Sequence, residues 1–80
     1  MARHIDVEFT IEPFIEGEPG PHVTAAVAAV EALGLSVDFG PFGSTFSAPE
    51  DAVSPAVAAL MDAAYKYGAT HVSVHAERTD

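Results

Sequence analysis

The groups able to do chemistry in this 80-residue chain are four histidines, twelve acidic side chains and a hydroxyl pair that follows a glycine-proline segment. His71 and His75 stand four apart, which on a helix is the spacing of two zinc ligands. The segment alternates like a strand, however, and four strand residues span about 13 Å. One ion bonded at about 2 Å cannot bridge that gap. His75 and Glu77 share a strand face and could hold a metal with Glu8 of a neighbouring strand, but spacing sets no third ligand. They read more simply as polar-face residues. Asp6, Glu8 and Glu12 lie on one side of the first strand, a conceivable source of an acid–base pair. Such a pair needs one carboxylate in an apolar pocket. None is evident, so a solvated acidic face is favoured. With no cysteine there is no thiolate nucleophile, disulfide or thiolate zinc site. No serine sits at a G-x-S-x-G elbow. The chain is expected to be non-enzymatic, with no catalytic residue, metal or resident cofactor.

Gly40-Pro41-Phe42-Gly43-Ser44-Thr45 is the densest cluster. It has neither the spacing nor the lysine of a phosphate-binding loop. Ser44 and Thr45 place two hydroxyls near Phe39, Phe42 and Phe46, a combination suited to a flat heteroaromatic ring. Taken alone, the segment reads equally well as a turn.

The elements that must position these groups follow from changes of period. His4 to Glu12 alternates strictly, with Ile5, Val7, Phe9 and Ile11 on one face and His4, Asp6, Glu8, Thr10 and Glu12 on the other. Pro13 ends that strand, and Glu16 to Pro21 reads as a loop. Val23, Ala26, Val27, Val30 and Leu33 recur at helical spacing, with Gly34 as a C-cap. Leu35 to Phe39 predicts a second strand and Ser44 to Ser47 a third. Val53, Val57, Leu60 and Ala64 predict a second helix, closed by Gly68. Pro55 either opens that helix behind a Ser54 cap or sits one turn inside it. His71 to Glu77 is the fourth strand.

The order β-α-β-β-α-β predicts an α+β, ferredoxin-like domain over residues 1–80: a four-stranded antiparallel sheet with two helices on one face. The helices are expected to cover Ile5, Val7, Phe9, Ile11, Val37, Phe39, Val72 and Val74. The other face, with Asp6, Glu8, Thr10, Ser36, Asp38, Ser73 and His75, is left open.

Three basic residues (Arg3, Lys66 and Arg78) stand against twelve acidic ones, for a net charge of −9. Nucleic acid and anionic membranes are held mainly by Lys and Arg, so neither is an expected partner. A phosphate-rich ligand is disfavoured for the same reason. A neutral or cationic small molecule, or a protein, remains. No apolar run approaches the ~20 residues that span a bilayer, and no signal peptide is evident, so a soluble, cytoplasmic protein is expected. A domain of this size, with alanine-rich helices and a thin core, is marginal alone. Self-association is expected on that ground.

The order and spacing of several short segments resemble the thiamine-binding-protein superfamily. These are Phe9-Thr10-Ile11-Glu12-Pro13, Gly34-Leu35, Gly40 to Thr45, Gly68-Ala69 and His71-Val72. The nearer branch is the YkoF-type domain that binds thiamine and its hydroxymethylpyrimidine moiety. That resemblance implies a ferredoxin-like fold, binding without catalysis, and assembly into dimers or tetramers. YkoF-type chains usually carry two copies of the domain, so one copy here implies a homodimer or homotetramer. The implied contacts are Ile11, with Thr10 beside it, and Ser44 with Thr45. Ring contact from Phe9 or Phe46 is a separate inference from their proximity. The chain departs from the family pattern at Glu12, at Gly43 and at Ser47-Ala48-Pro49.

Thiamine joins a thiazolium cation to an aminopyrimidine, which an acidic protein with hydroxyls and aromatics can accept. The expected function is therefore a thiamine or hydroxymethylpyrimidine carrier or sensor, with Glu8, Glu12 or Asp38 balancing the cation. The alternative is a ligand-free oligomerisation or regulatory module that uses the open sheet face.

Overall fold

A computed structural model describes residues 3–13, 20–40 and 43–79. Strand β1, His4–Glu12, sits inside the sheet, where its strict alternation buries Val7, Phe9 and Ile11 on one face. Helix α1, Pro21–Glu31, starts with a proline whose missing N–H costs nothing at a helix N-terminus. Its buried residues His22, Ala26 and Val30 recur every four positions, one stripe of the helix. Strand β2, Asp38–Phe39, is brief, and β3, Ser44–Pro49, is longer. Helix α2, Glu50–Lys66, buries Ala56, Leu60 and Ala64, again every fourth residue. Strand β4, His71–Arg78, completes the chain.

The strands lie in the order β2-β3-β1-β4, and every neighbouring pair is antiparallel. With α1 and α2 packed on each other, and α2 against β1 and β3, this is the ferredoxin-like α+β fold. Small residues set that packing. Ala26, Ala48, Ala56 and Ala64 are fully buried and let backbones approach, while Phe9, Leu60, Val7 and Val30 fill the space between. The Phe9 and Phe46 rings meet at 6.1 Å, tilted by 60°.

Local chemistry closes the elements. Gly34 and Gly68 hold φ of +86° and +105°, where a Cβ would be strained, and each turns the chain out of a helix. Pro13 follows a cis peptide bond, and its carbonyl accepts a hydrogen bond from His22 Nε2 at 2.7 Å, tying β1 to α1. Glu50 and Asp51 lie at the positive end of α2 and Lys66 at its negative end. Arg78 and Glu50 form an ion pair at 3.7 Å between β4 and α2.

Several expectations need correcting. Helix α1 begins at Pro21 and ends at Glu31. The second strand shrinks from Leu35–Phe39 to two residues, because only Asp38 and Phe39 pair with β3. Leu35 and Val37 still pack on the core, from an unpaired segment. The third strand extends to Pro49, which lies opposite His4. Pro55 is inside α2, not in a first turn capped by Ser54. Phe39 and Val74 were expected under the helices, yet they remain 52% and 37% exposed. They lie on the two edge strands, at the margin of the helix layer, where α2 packs mainly on β1 and β3 and covers less of the sheet. Pro41, Phe42 and most of the loop from Glu16 to Pro21 fall outside the described residues. Among the described residues, no helix is long and apolar enough to cross a membrane.

Candidate functional site

The open sheet face carries the polar side chains in cross-strand rows, because antiparallel register places directly opposed residues on one side. In one row Asp38 of β2, Thr45 of β3, Glu8 of β1 and His75 of β4 lie side by side. In the next, Ser47, Asp6 and Glu77 are aligned. Thr10 and Ser73 form a third, and Glu12 and His71 a fourth. Gly43 lets the turn before β3 close onto β1: a Cβ there would meet the Phe9 carbonyl oxygen and Thr10 Cγ2 at 3.2 Å each.

The first two rows enclose a solvent-open depression of about 600 Å³. Asp6, Glu8, Asp38 and Glu77 supply carboxylates, Ser36, Thr45 and Ser47 hydroxyls, and His75 an imidazole. Ser47 Oγ donates a hydrogen bond to Asp6 Oδ1. His75 Nε2 and Glu77 Oε2 stand 3.7 Å apart on largely exposed side chains. No lysine or arginine lines the depression. Its field is negative, and opposed carboxylates such as Asp6 and Glu77 are mutually repulsive. A bound cation would relieve that repulsion. Among the described residues no three His, Asp or Glu side chains converge closely enough to hold a metal ion.

The six residues expected to contact a ligand separate into two sets. Thr45 is exposed within the depression, beside Glu8 and Asp38, and Thr10 is exposed one row further along. Phe9, Ile11, Ser44 and Phe46 point to the opposite, helix-covered face, each at most 5% exposed. Successive strand residues face opposite ways, so Ser44 and Thr45 cannot address one ligand on the open face. The Phe9 and Phe46 rings are spent on each other in the core. Glu12 lies at the far end of β1 and does not border the depression, whereas Glu8 and Asp38 do. Asp6, Ser47 and Glu77 were not picked out as ligand contacts. Their signal was the alternation of Thr45 with Ser47 and of Asp6 with Glu8, but their convergence depends on strand register.

No family model matches the chain, and no curated protein is similar to it. Solved structures are. A domain of unknown function, DUF77, from Bacillus cereus superposes with a TM-score of 0.71 at 18% identity, over 99% of this chain and 77% of that one. A candidate thiamine biosynthesis/salvage protein from Thermotoga maritima gives a TM-score of 0.68 at 15% identity, over 96% and 83%. A Streptococcus pneumoniae protein gives 0.69 at 11%, over 96% and 86%. At these identities the likeness establishes a shared fold: the chain has the ferredoxin-like architecture of the DUF77 domain and of the Thermotoga thiamine-related protein.

Proposed function

We propose that this protein binds thiamine, or its hydroxymethylpyrimidine moiety, without chemistry, as a small-molecule carrier or sensor. The observation that carries the reading is the acidic depression on the open sheet face, lined by four carboxylates, three hydroxyls and the His75 imidazole, with no lysine or arginine. Its volume is within the usual range of small-ligand sites. The thiazolium would lie against Glu8 and Asp38, where its charge offsets theirs. The aminopyrimidine would exchange hydrogen bonds with Thr45 and Ser47, since hydroxyls both donate and accept. Thiamine diphosphate would be repelled by the same carboxylates. The Thermotoga neighbour supports the choice of ligand class, and we take the protein to act in the cytoplasm as a homo-oligomer.

The alternative, self-association through the open face, is disfavoured by charge. Stacking two copies on that face would set Asp6, Glu8, Asp38 and Glu77 of each against the same groups of the other.

Isothermal titration tests the proposal with thiamine, hydroxymethylpyrimidine and thiamine diphosphate in parallel. Saturable thiamine binding, with the diphosphate weaker, is the expected result. Absence of heat with all three at high protein concentration would remove the ligand assignment.

A further inference from the structure

Among the described side chains that line the depression, only His75 can gain a positive charge. Register sets it directly opposite Glu8 of β1, in the same row as Thr45 and Asp38. Its Nε2 stands 3.7 Å from Glu77 Oε2 on its own strand. Asp6, opposite Glu77, completes the acidic surroundings one row away. Ser73, the next residue of β4 on this face, is uncharged, and β4 is an edge strand with β1 on one side only. Arg78 turns to the other face and pairs with Glu50. The remaining bases of the open face stand apart. His71 is opposite Glu12, two rows from His75, and His4 lies beyond Asp6 on β1; neither borders the depression.

We propose that a proton on His75 and the cationic ring of the ligand compete for the same carboxylates, so that the protein releases a proton as it takes up thiamine and gives thiamine up on acidification. The inference rests on the thiamine reading above and adds its regulation. Imidazoles titrate between about pH 5 and 8, a range in which carboxylic acids as a class are largely ionised. With His75 neutral, Glu8 and Glu77 keep their full charge and attract the thiazolium. With His75 protonated, Glu8 across the ladder and Glu77 beside it already have a counter-charge, and the imidazolium repels a second cation at the same place. Linkage fixes the sign. The bound cation disfavours the protonated imidazole, and the proton disfavours the cation by the same factor. Affinity therefore climbs as pH rises through the imidazole's titration and levels off above it. The imidazole is largely exposed, so protons exchange freely and solvent screening holds the effect to several-fold.

Titration calorimetry of the full chain with thiamine tests the competition. It is run from about pH 6 to about pH 8 at constant ionic strength, in pairs of buffers that differ in ionisation enthalpy, so that it reads both affinity and protons released. Thiamine should bind roughly three- to tenfold more weakly at the acid end, with at most about one proton released per thiamine bound. His75→Gln should flatten the profile and abolish the proton release, whereas His71→Gln should keep both. Binding of equal strength across the range would overturn the proposal and leave the ligand reading standing. A profile that persists in His75→Gln, or that vanishes in His71→Gln, overturns it too. Loss of binding at every pH in His75→Gln would make the imidazole a ligand contact and overturn the competition. No thiamine binding at the alkaline end removes the ligand reading and this proposal together.

Discussion

Asp6 and Glu77 lie directly opposite one another on β1 and β4, two carboxylates paired across a ladder with no lysine or arginine bordering their depression. Asp6 takes a hydrogen bond from Ser47, and Glu77 has His75 nearby, so each is partly compensated on its outer side. The pair itself is repulsive. Asp6→Asn keeps an oxygen for Ser47 and removes the repulsion. It should raise the thermal midpoint by about 2–4 °C. Added salt should stabilise the native protein more than the variant, because screening acts on the same repulsion. Thermal unfolding at low and high ionic strength checks both outcomes.

The ligand reading makes a split prediction on the neighbouring row. Thr45→Val should weaken both thiamine and hydroxymethylpyrimidine by about one hydrogen bond, ~1 kcal/mol. Glu8→Gln should weaken thiamine about two- to fivefold and leave the uncharged hydroxymethylpyrimidine unchanged. Titration calorimetry of both variants with both ligands reads the difference. Equal losses in Glu8→Gln would take the cation away from Glu8.

Phe9 offers the converse test. Its ring is 2% exposed and packs on Phe46 on the side away from the depression. Phe9→Leu should lower stability by about 1–2 kcal/mol through lost contact and an imperfect fit. Thiamine affinity in the folded fraction should not move. Urea unfolding and titration of the same preparation separate the two effects, and a changed affinity would place the ring in the site after all.

These cases show what could be read ahead of the structure. Strand β1 was legible to its ends because nine residues alternate without a fault. The helix stripes through Val30 and Leu60 were legible for the same reason, with period 3.6 in place of 2. Alternation assigns a residue to a face, however, and not to a position across the sheet. Phe39 and Val74 carry core-type side chains on edge strands, which only the order β2-β3-β1-β4 reveals. The pairing of Ser44 with Thr45 failed differently. Neighbours in sequence are opposed in space on a strand, while Thr45 meets Glu8, far away along the chain. That register is a long-range property, and so the rows of the open face were hidden.

Pro55 lies inside α2 and cannot donate to the carbonyl of Asp51. Pro55→Ala should restore that bond at an exposed position. The gain is partly offset by the freer unfolded chain, leaving about 1–2 kcal/mol of added stability. Chemical denaturation with an unchanged m-value would confirm it, and a destabilised variant would refute it.

Gly68 holds φ of +105° with open space around the place a Cβ would take. The cost of Gly68→Ala is therefore confined to the backbone, about 1–2 kcal/mol. Asn at the same site should cost less than Ala. If Ala is neutral by thermal unfolding, the turn into β4 has another conformation open to it.

Strand β2 pairs through two residues only, and this brevity limits how copies of the sheet can add. An endless ribbon needs two adhesive ends on every unit, one to receive and one to offer. Here one end is eight residues long and the other is a stub. A two-residue edge offers few unpaired N–H and C=O groups for another strand to bond, so growth of the sheet at this margin has little to hold it. A truncated strand at one margin thus acts as a polymerisation stop, blunting that end of the sheet without a covering helix.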